Sequence, residues 1–81
     1  MMFYTYTHSN LDGEVFYVGK GKGTRAYKRY DRGDTWKEYV DRLDGIIIRI
    51  VKRFNTDVEA LAHEVKLVAH YKSIGVKLLN K

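Results

Sequence analysis

The chain has 81 residues, 44% of them hydrophobic and 14% aromatic, with no cysteine and a formal net charge of +5. This hydrophobic content is enough for one small core, so a single domain is expected. The absence of cysteine excludes disulfides and thiolate metal sites and favours a reducing, cytoplasmic location. No apolar run approaches the roughly 20 residues of a membrane span, and no signal-peptide pattern is present, so no membrane partner is expected. The positive charge favours a polyanionic partner such as nucleic acid.

The first two predicted elements are strands of an antiparallel hairpin. Residues 3–8 are rich in aromatic and β-branched side chains, which is typical of a strand. A turn over residues 9–13 leads into a return strand over residues 14–18. Tyr6 and Tyr17 should therefore lie near each other. Alternation divides the first strand between two faces, and one face carries Tyr4, Tyr6 and His8.

An alternation of glycine and lysine over residues 19–23, followed by Arg25, is predicted to form a loop after the return strand. Glycine lets the backbone bend and approach a ligand closely, and the cations suit a phosphate. The spacing is G-x-G-x-G, whereas a dinucleotide site needs G-x-G-x-x-G, and the P-loop signature is absent. A plain flexible turn is the other interpretation, but it does not explain why like charges are crowded together.

Two helices are predicted to follow this segment. Residues 25–30 form a short helix capped by Thr24, with Arg25 and Arg29 four residues apart on one face. A second helix over residues 35–44 opens with a Thr-x-x-Glu capping box and buries one apolar stripe. That stripe consists of Trp36, Tyr39, Val40 and Leu43.

A third strand and the longest helix complete the prediction. Residues 45–54 contain a β-branched run, which indicates a central strand covered on one face and partly on the other. A capping box at residues 56–59 opens a helix that ends before Gly75, and residues 76–80 should be extended. The order β-β-α-α-β-α predicts an α+β domain, with a small three-stranded antiparallel or mixed sheet flanked by helices.

The last helix carries a carboxylate, Glu64, at the flank of its apolar side. The residues three and four positions away in both directions are all apolar, and a carboxylate in such surroundings needs a partner. A salt bridge to the sheet and a role as metal ligand or general acid/base are equally compatible with this position. His63 and His70 are expected on the opposite, solvated face. The predicted core-facing stripe consists of Val58, Leu61, Ala62, Val65, Val68 and Ala69.

In order and spacing, these features resemble the GIY-YIG nuclease family over nearly the whole chain. The two tripeptides that give the family its name correspond here to Tyr4-Thr5-Tyr6 and Tyr17-Val18-Gly19. The family's helix arginine is matched by Arg25, its late helix glutamate by Glu64, and its final Leu-Asn by Leu79-Asn80. The run of residues 18–23 is similar to the loop of one subgroup of the family.

The resemblance implies an endonuclease that uses Mg²⁺, or Mn²⁺ in its place, to hydrolyse DNA phosphodiester bonds. Tyr6 would accept a proton from the attacking water or position it, and Tyr17 would support the nucleophile or the phosphate. Arg25 would bind the scissile phosphate and stabilise its developing charge. Glu64 would hold one metal ion, which acts as a Lewis acid on the phosphate and leaving oxygen.

Accessory roles and one departure also follow from the resemblance. Gly19 would turn the chain, Lys20 would lower the pKa of a tyrosine or neutralise phosphate, and Asn80 would shape the site from the tail. Four residues after the helix arginine many members have His or Tyr, whereas this chain has Arg29 with Tyr30 beside it. Tyr30 is therefore an alternative to the first-strand tyrosine as the base.

A second hypothesis, motivated by Arg29, is a non-catalytic module that binds nucleic acid on the same scaffold. An interaction protein that binds an acidic partner is a third. Because the chain has no room for an added DNA-reading domain, recognition through a homodimer or a separate DNA-recognition partner is expected. The first two hypotheses share predicted phosphate contacts from Lys20, Lys22, Arg25, Lys28 and Arg29.

Overall fold

The fold is a three-stranded sheet with elements packed on both faces, and the computed structural model describes residues 2–29 and 32–80. Its strand order is β2-β1-β3, with both neighbouring pairs antiparallel. The predicted α+β class is therefore confirmed. Neither helix is long and apolar enough to cross a membrane within the described ranges. The elements are β1 (Phe3–Ser9), β2 (Val15–Lys22), a 3₁₀ turn (Arg25–Tyr27), α1 (Asp34–Asp41), β3 (Ile47–Phe54) and α2 (Asp57–Ser73).

Strand β1 is the centre of the sheet, and its side chains are buried from Tyr4 to Ser9. The prediction of a central position for β3 is wrong, because β3 pairs with β1 alone and lies at an edge. Its side chains are exposed or partly buried along its length. A β-branched run fits any pleated, half-buried surface, so it does not specify a central position. The cations within β3 suit an exposed edge.

The glycine–lysine segment is strand and not loop, because β2 continues in register with β1 as far as Lys22. A side chain at Gly19 would overlap the Tyr6 ring, and a Cβ at Gly21 would lie 2.7 Å from the side chain of Arg25. These glycines therefore make room for neighbouring side chains and do not bend the chain. The expectation that Gly19 forms the turn is wrong, since the turn comes at Gly23, where φ is 60°.

The first predicted helix is reduced to one 3₁₀ turn. The chain is already extended at Lys28, with φ −76° and ψ 138°, and Thr24 makes no capping hydrogen bond through its side chain. Arg25 and Arg29 consequently do not share a helix face. A helix of six residues has too few hydrogen bonds to offset its nucleation cost unless packing supports it. Tyr30 lies outside the described residues.

Helix α1 has the predicted apolar stripe but a different start. It begins after Gly33, whose φ is 88°, and no side chain caps it, so the predicted capping box is wrong. Trp36 and Val40 are buried against Phe16, and Tyr39 and Leu43 pack beside them. The stripe therefore closes the core on the face of β1 that carries the tyrosines.

Helix α2 begins and ends as predicted. Thr56 is its N-cap and accepts a hydrogen bond from the backbone N–H of Glu59 at 3.2 Å. Gly75 follows its last turn with a φ of 87°. These signals are local, since a capping side chain and a left-handed residue act within one turn of the helix end.

The predicted buried face of α2 is wrong. Val58, Leu61 and Val65 are 78%, 45% and 61% exposed, whereas Ala60 is fully buried. His63, expected in solvent, faces the sheet, and a hydrogen bond of 2.8 Å joins its Nδ1 to Thr5 Oγ1. Threonines of β1 line this face of the sheet and offer hydroxyls, so a polar side of the helix packs here.

Candidate functional site

The residues matched to the nuclease family lie on two faces of the sheet that meet at the β2 edge. Tyr6 and Tyr17 are on the face covered by the 3₁₀ turn and α1, and their ring centroids are 6.3 Å apart. Their predicted proximity is confirmed. Lys20 and Glu64 lie on the opposite face, where α2 packs.

The tyrosine face is closed around Tyr6. Its side chain is 1% exposed, and the guanidinium of Arg32 donates a hydrogen bond to its hydroxyl. Burial raises the pKa of Tyr6 above its ordinary value, while the Arg32 hydrogen bond and charge act in the opposite direction. A buried phenol with an arginine donor accepts a hydrogen bond well, but it requires a local opening before it can contact water.

Arg32 is a site residue that the sequence analysis missed. Its Nε donates to the Lys28 carbonyl at 2.9 Å, and its guanidinium also donates to the Arg25 carbonyl. The guanidinium carbon lies 5.6 Å from the Tyr17 ring centroid. One cation therefore ties the 3₁₀ turn to both tyrosines. Arg32 belongs to an irregular segment, where hydrophobic periodicity does not indicate which way a side chain points.

His8 is the second residue whose role was missed. It is fully buried, and its Nε2 lies 2.8 Å from the Ala26 carbonyl oxygen. The indole N–H of Trp36 donates to its Nδ1 at 3.1 Å. Because a carbonyl only accepts and an indole only donates, the ring is neutral with its proton on Nε2. Burial, followed by nearby arginines, lowers the pKa of His8 to about 4.

Tyr4 positions the turn that carries Arg25. Its hydroxyl donates to the Gly23 carbonyl at 2.7 Å and accepts from the Ala26 N–H at 3.1 Å. The side chain of Arg25 then crosses the space left by Gly21. The buried hydroxyl of Tyr4 therefore holds in place the turn from which Arg25, the predicted phosphate-binding residue, reaches the β2 edge.

The opposite face presents two carboxylates around one lysine. Lys20 Nζ lies 2.8 Å from Asp57 Oδ1, in the first turn of α2. Burial raises the pKa of Glu64, and the charge of Asp57 raises it further. The charge of Lys20 and a backbone hydrogen bond from it act in the opposite direction. Glu64 is partly buried, although the apolar stripe beside which it was predicted to lie is mostly exposed.

A surface pocket lies at the β2 edge, between the start of α2 and the 3₁₀ turn. Its volume is about 470 Å³, and Arg25, Lys20 and Asp57 are all part of its wall. Arg25 reaches it by packing over Gly21, which has no side chain in the way. An anion in the pocket would meet cations from two elements, with a carboxylate beside them.

The fit of a divalent metal depends on Asp57 and Glu64. Residues 2–29 and 32–80 contain no group of three His, Cys, Asp or Glu side chains that could hold a metal ion. Mg²⁺ often takes one or two carboxylates and completes its shell with water and phosphate. A partly buried carboxylate with a raised pKa gains from a nearby cation. The described residues thus offer two carboxylates at this place, and a Mg²⁺ or Mn²⁺ ion bound there would need water or phosphate oxygens to complete its shell.

Asn80 lies beside the outer edge of β2, the edge that is not paired with β1. Its Nδ2 donates to the Val18 carbonyl, and its Oδ1 accepts from the Val18 N–H at 3.0 Å. The N–H of Leu79 donates to the Phe16 carbonyl at 2.8 Å. The tail thus satisfies the outer edge of β2 beside a pocket of about 520 Å³ that Tyr17 and Arg32 also line.

The remaining predicted DNA contacts are spread over the surface. Lys22 and Arg29 are exposed, and Lys28 is partly buried.

A scan against models of protein families, a search of curated proteins and a search of solved structures each returned no match.

Proposed function

We propose that this chain is a Mg²⁺-dependent endonuclease of GIY-YIG type, which hydrolyses DNA phosphodiester bonds. One observation carries the proposal. Arg25 and Lys20 share a pocket with Asp57, and the charges of Lys20 and Asp57 also act on Glu64. A plain structural edge has no need to gather opposite charges around a cleft.

In this proposal the pocket holds the scissile phosphate. Arg25 binds its oxygens and stabilises the charge that grows as the attacking water adds to phosphorus. Lys20, already paired with Asp57, adds a second cation at the same edge. Asp57 and Glu64 would hold the metal ion, which supplies Lewis acid chemistry at the phosphate when bound.

A tyrosine phenolate accepts the proton of the attacking water, so that tyrosine must first release its own phenolic proton to solvent. Tyr6 is the first choice by resemblance, and the hydrogen bond and charge of Arg32 favour its phenolate, whereas burial opposes ionisation and raises its pKa overall. Tyr17 is partly exposed and lines a pocket, so it reaches solvent without rearrangement. The leaving 3′ oxygen is protonated by water as the chain separates.

The test is nicking of supercoiled plasmid DNA with Mg²⁺, with Mn²⁺ and with EDTA. Glu64→Gln and Arg25→Gln should abolish nicking because they remove a metal ligand and a phosphate ligand, and Glu64→Gln preserves the side-chain shape. Glu38→Gln and Arg42→Gln are matched controls at exposed positions of α1 and its C-cap, and they should cleave like the unaltered protein. Equal nicking with EDTA, or by Glu64→Gln, would contradict the proposal.

The burial of Tyr6 supports a second candidate, a basic module that binds nucleic acid without cleaving it. Its hydroxyl is enclosed by Arg32, so no water reaches it in this conformation. This candidate predicts salt-dependent DNA binding that weakens when Arg25 is replaced. It also predicts no Mg²⁺-dependent product at any protein concentration, which separates it from the nuclease in the same plasmid assay.

A further inference from the structure

One end of the sheet carries aromatic rings next to cations. Phe3 of β1 pairs in register with Lys22 of β2 on one side and with Phe54 of β3 on the other. In an antiparallel sheet, direct partners project to the same face with their Cβ atoms about 5 Å apart. The three strands therefore present a row of lysine, phenylalanine and phenylalanine.

Further positive charge and one more ring surround this row. Lys22 Nζ is 5.8 Å from the centroid of Phe3, and Lys52 Nζ is 5.5 Å from that of Phe54. The ring of His63 lies 5.1 Å from Phe54. Both lysines are exposed, and a cation–π contact at an exposed site is weak, so each ammonium can exchange it for a phosphate.

The two phenylalanines are not explained by the core. Neither belongs to the two clusters of buried residues, which pack on the tyrosine face of the sheet, whereas both phenylalanines lie on the face where α2 packs. Both remain partly exposed, although β1 buries Tyr4 and Tyr6 almost completely. Phe3 and Lys22 also line the pocket that contains Arg25. An apolar, cationic surface therefore begins where the proposed phosphate site ends.

We propose that Phe3 and Phe54 form a stacking platform for bases of single-stranded DNA, whose phosphates contact Lys22 and Lys52. Ring faces bind any unpaired base, and flanking cations follow the backbone, which is the combination that single-strand binding uses. A base pair in a duplex has no free face to offer such a platform. The substrate of this domain would therefore carry an unpaired segment next to the bond that is cut. Only the cut itself rests on the proposed nuclease function, whereas binding of the unpaired segment does not.

Binding is measured by fluorescence anisotropy of a labelled single-stranded DNA oligonucleotide, in EDTA and at low salt. Phe3→Leu and Phe54→Leu keep apolar bulk but remove the ring, and each should weaken single-strand binding by roughly fivefold or more. Phe54→Tyr should restore binding because it restores the ring. Ile47→Leu, an exposed apolar change at the other end of β3, should have no effect. Circular dichroism confirms that the variants are folded.

A blunt duplex of the same sequence is the comparison that isolates stacking. Its affinity should be the same for Phe54→Leu and the unaltered protein, because duplex binding depends on cations alone. Equal affinity of folded Phe54→Leu and unaltered protein for the single strand would overturn the platform. Tighter binding of single-stranded RNA than of DNA would overturn the choice of DNA. Plasmid nicking is scored separately, so loss of the platform and loss of the nuclease function give different results.

Discussion

Acidification should destabilise this protein through His8. The folded state holds the neutral ring between a carbonyl acceptor and an indole donor, and protonation at Nδ1 would break the bond from Trp36. The pKa of His8 falls from 6.5 to about 4 in the folded protein. Since the unfolded chain binds the proton more tightly, the contribution of His8 to stability is complete above pH 6.5 and is lost as the pH falls towards 4.

The magnitude follows from the shift in pKa. Each pKa unit corresponds to about 1.4 kcal/mol, so the free energy of unfolding should fall by roughly 3 kcal/mol between pH 7 and pH 4 through this residue. This is a large fraction of the roughly 5–15 kcal/mol that stabilises a typical domain. The packing of His8 against Trp36, with ring centroids 5.6 Å apart, makes that indole a direct reporter of unfolding.

The assay is urea unfolding followed by Trp36 fluorescence at several values of pH, for the unaltered protein and for His8→Gln. Glutamine can still donate to the Ala26 carbonyl but does not titrate, so carboxylates that titrate in both proteins cancel in the difference. The difference in the free energy of unfolding between the two proteins should narrow by roughly 3 kcal/mol when the pH falls from 7 to 4. Parallel pH curves for the two proteins, or a His8 ring that titrates near 6.5 by NMR, would refute the reasoning.

Three further predictions concern the sheet edge and α2. Glu64→Gln should raise the melting temperature at pH 7, because burial penalises the charged carboxylate of Glu64, and it should also abolish nicking. A lower melting temperature would contradict the first expectation, since the interactions of the carboxylate would then outweigh the cost of burying it. Gly19→Ala should cost about 1–3 kcal/mol in urea unfolding, because its methyl group overlaps the Tyr6 ring, whereas the control Gly45→Ala, with its closest contact at 3.6 Å, should cost less. Asn80→Ala should cost about 1–3 kcal/mol in urea unfolding because it leaves the N–H and the carbonyl of Val18 unpaired. Unchanged hydrogen exchange at the Val18 amide would contradict this.

The sequence by itself determined the local features of this protein. The alternation in β1 placed Tyr4 and Tyr6 on one face, the spacing in α1 gave its buried stripe, and Thr56 gave the start of α2. Each of these depends on contacts within a turn or between directly paired residues, so periodicity and capping rules carry the information.

Tertiary structure decided which surfaces meet. Helix α2 turns His63 and Ala60 to the sheet and leaves Val58 and Val65 exposed, because the threonine face of β1 offers hydrogen bonds that an apolar stripe could not satisfy. The glycines of β2 lie within a strand because Tyr6 and Arg25 need the space above them. His8 and Arg32 acquire their roles from partners that are distant in sequence. A pattern along one chain segment fixes its faces, but the partner of each face depends on the rest of the fold.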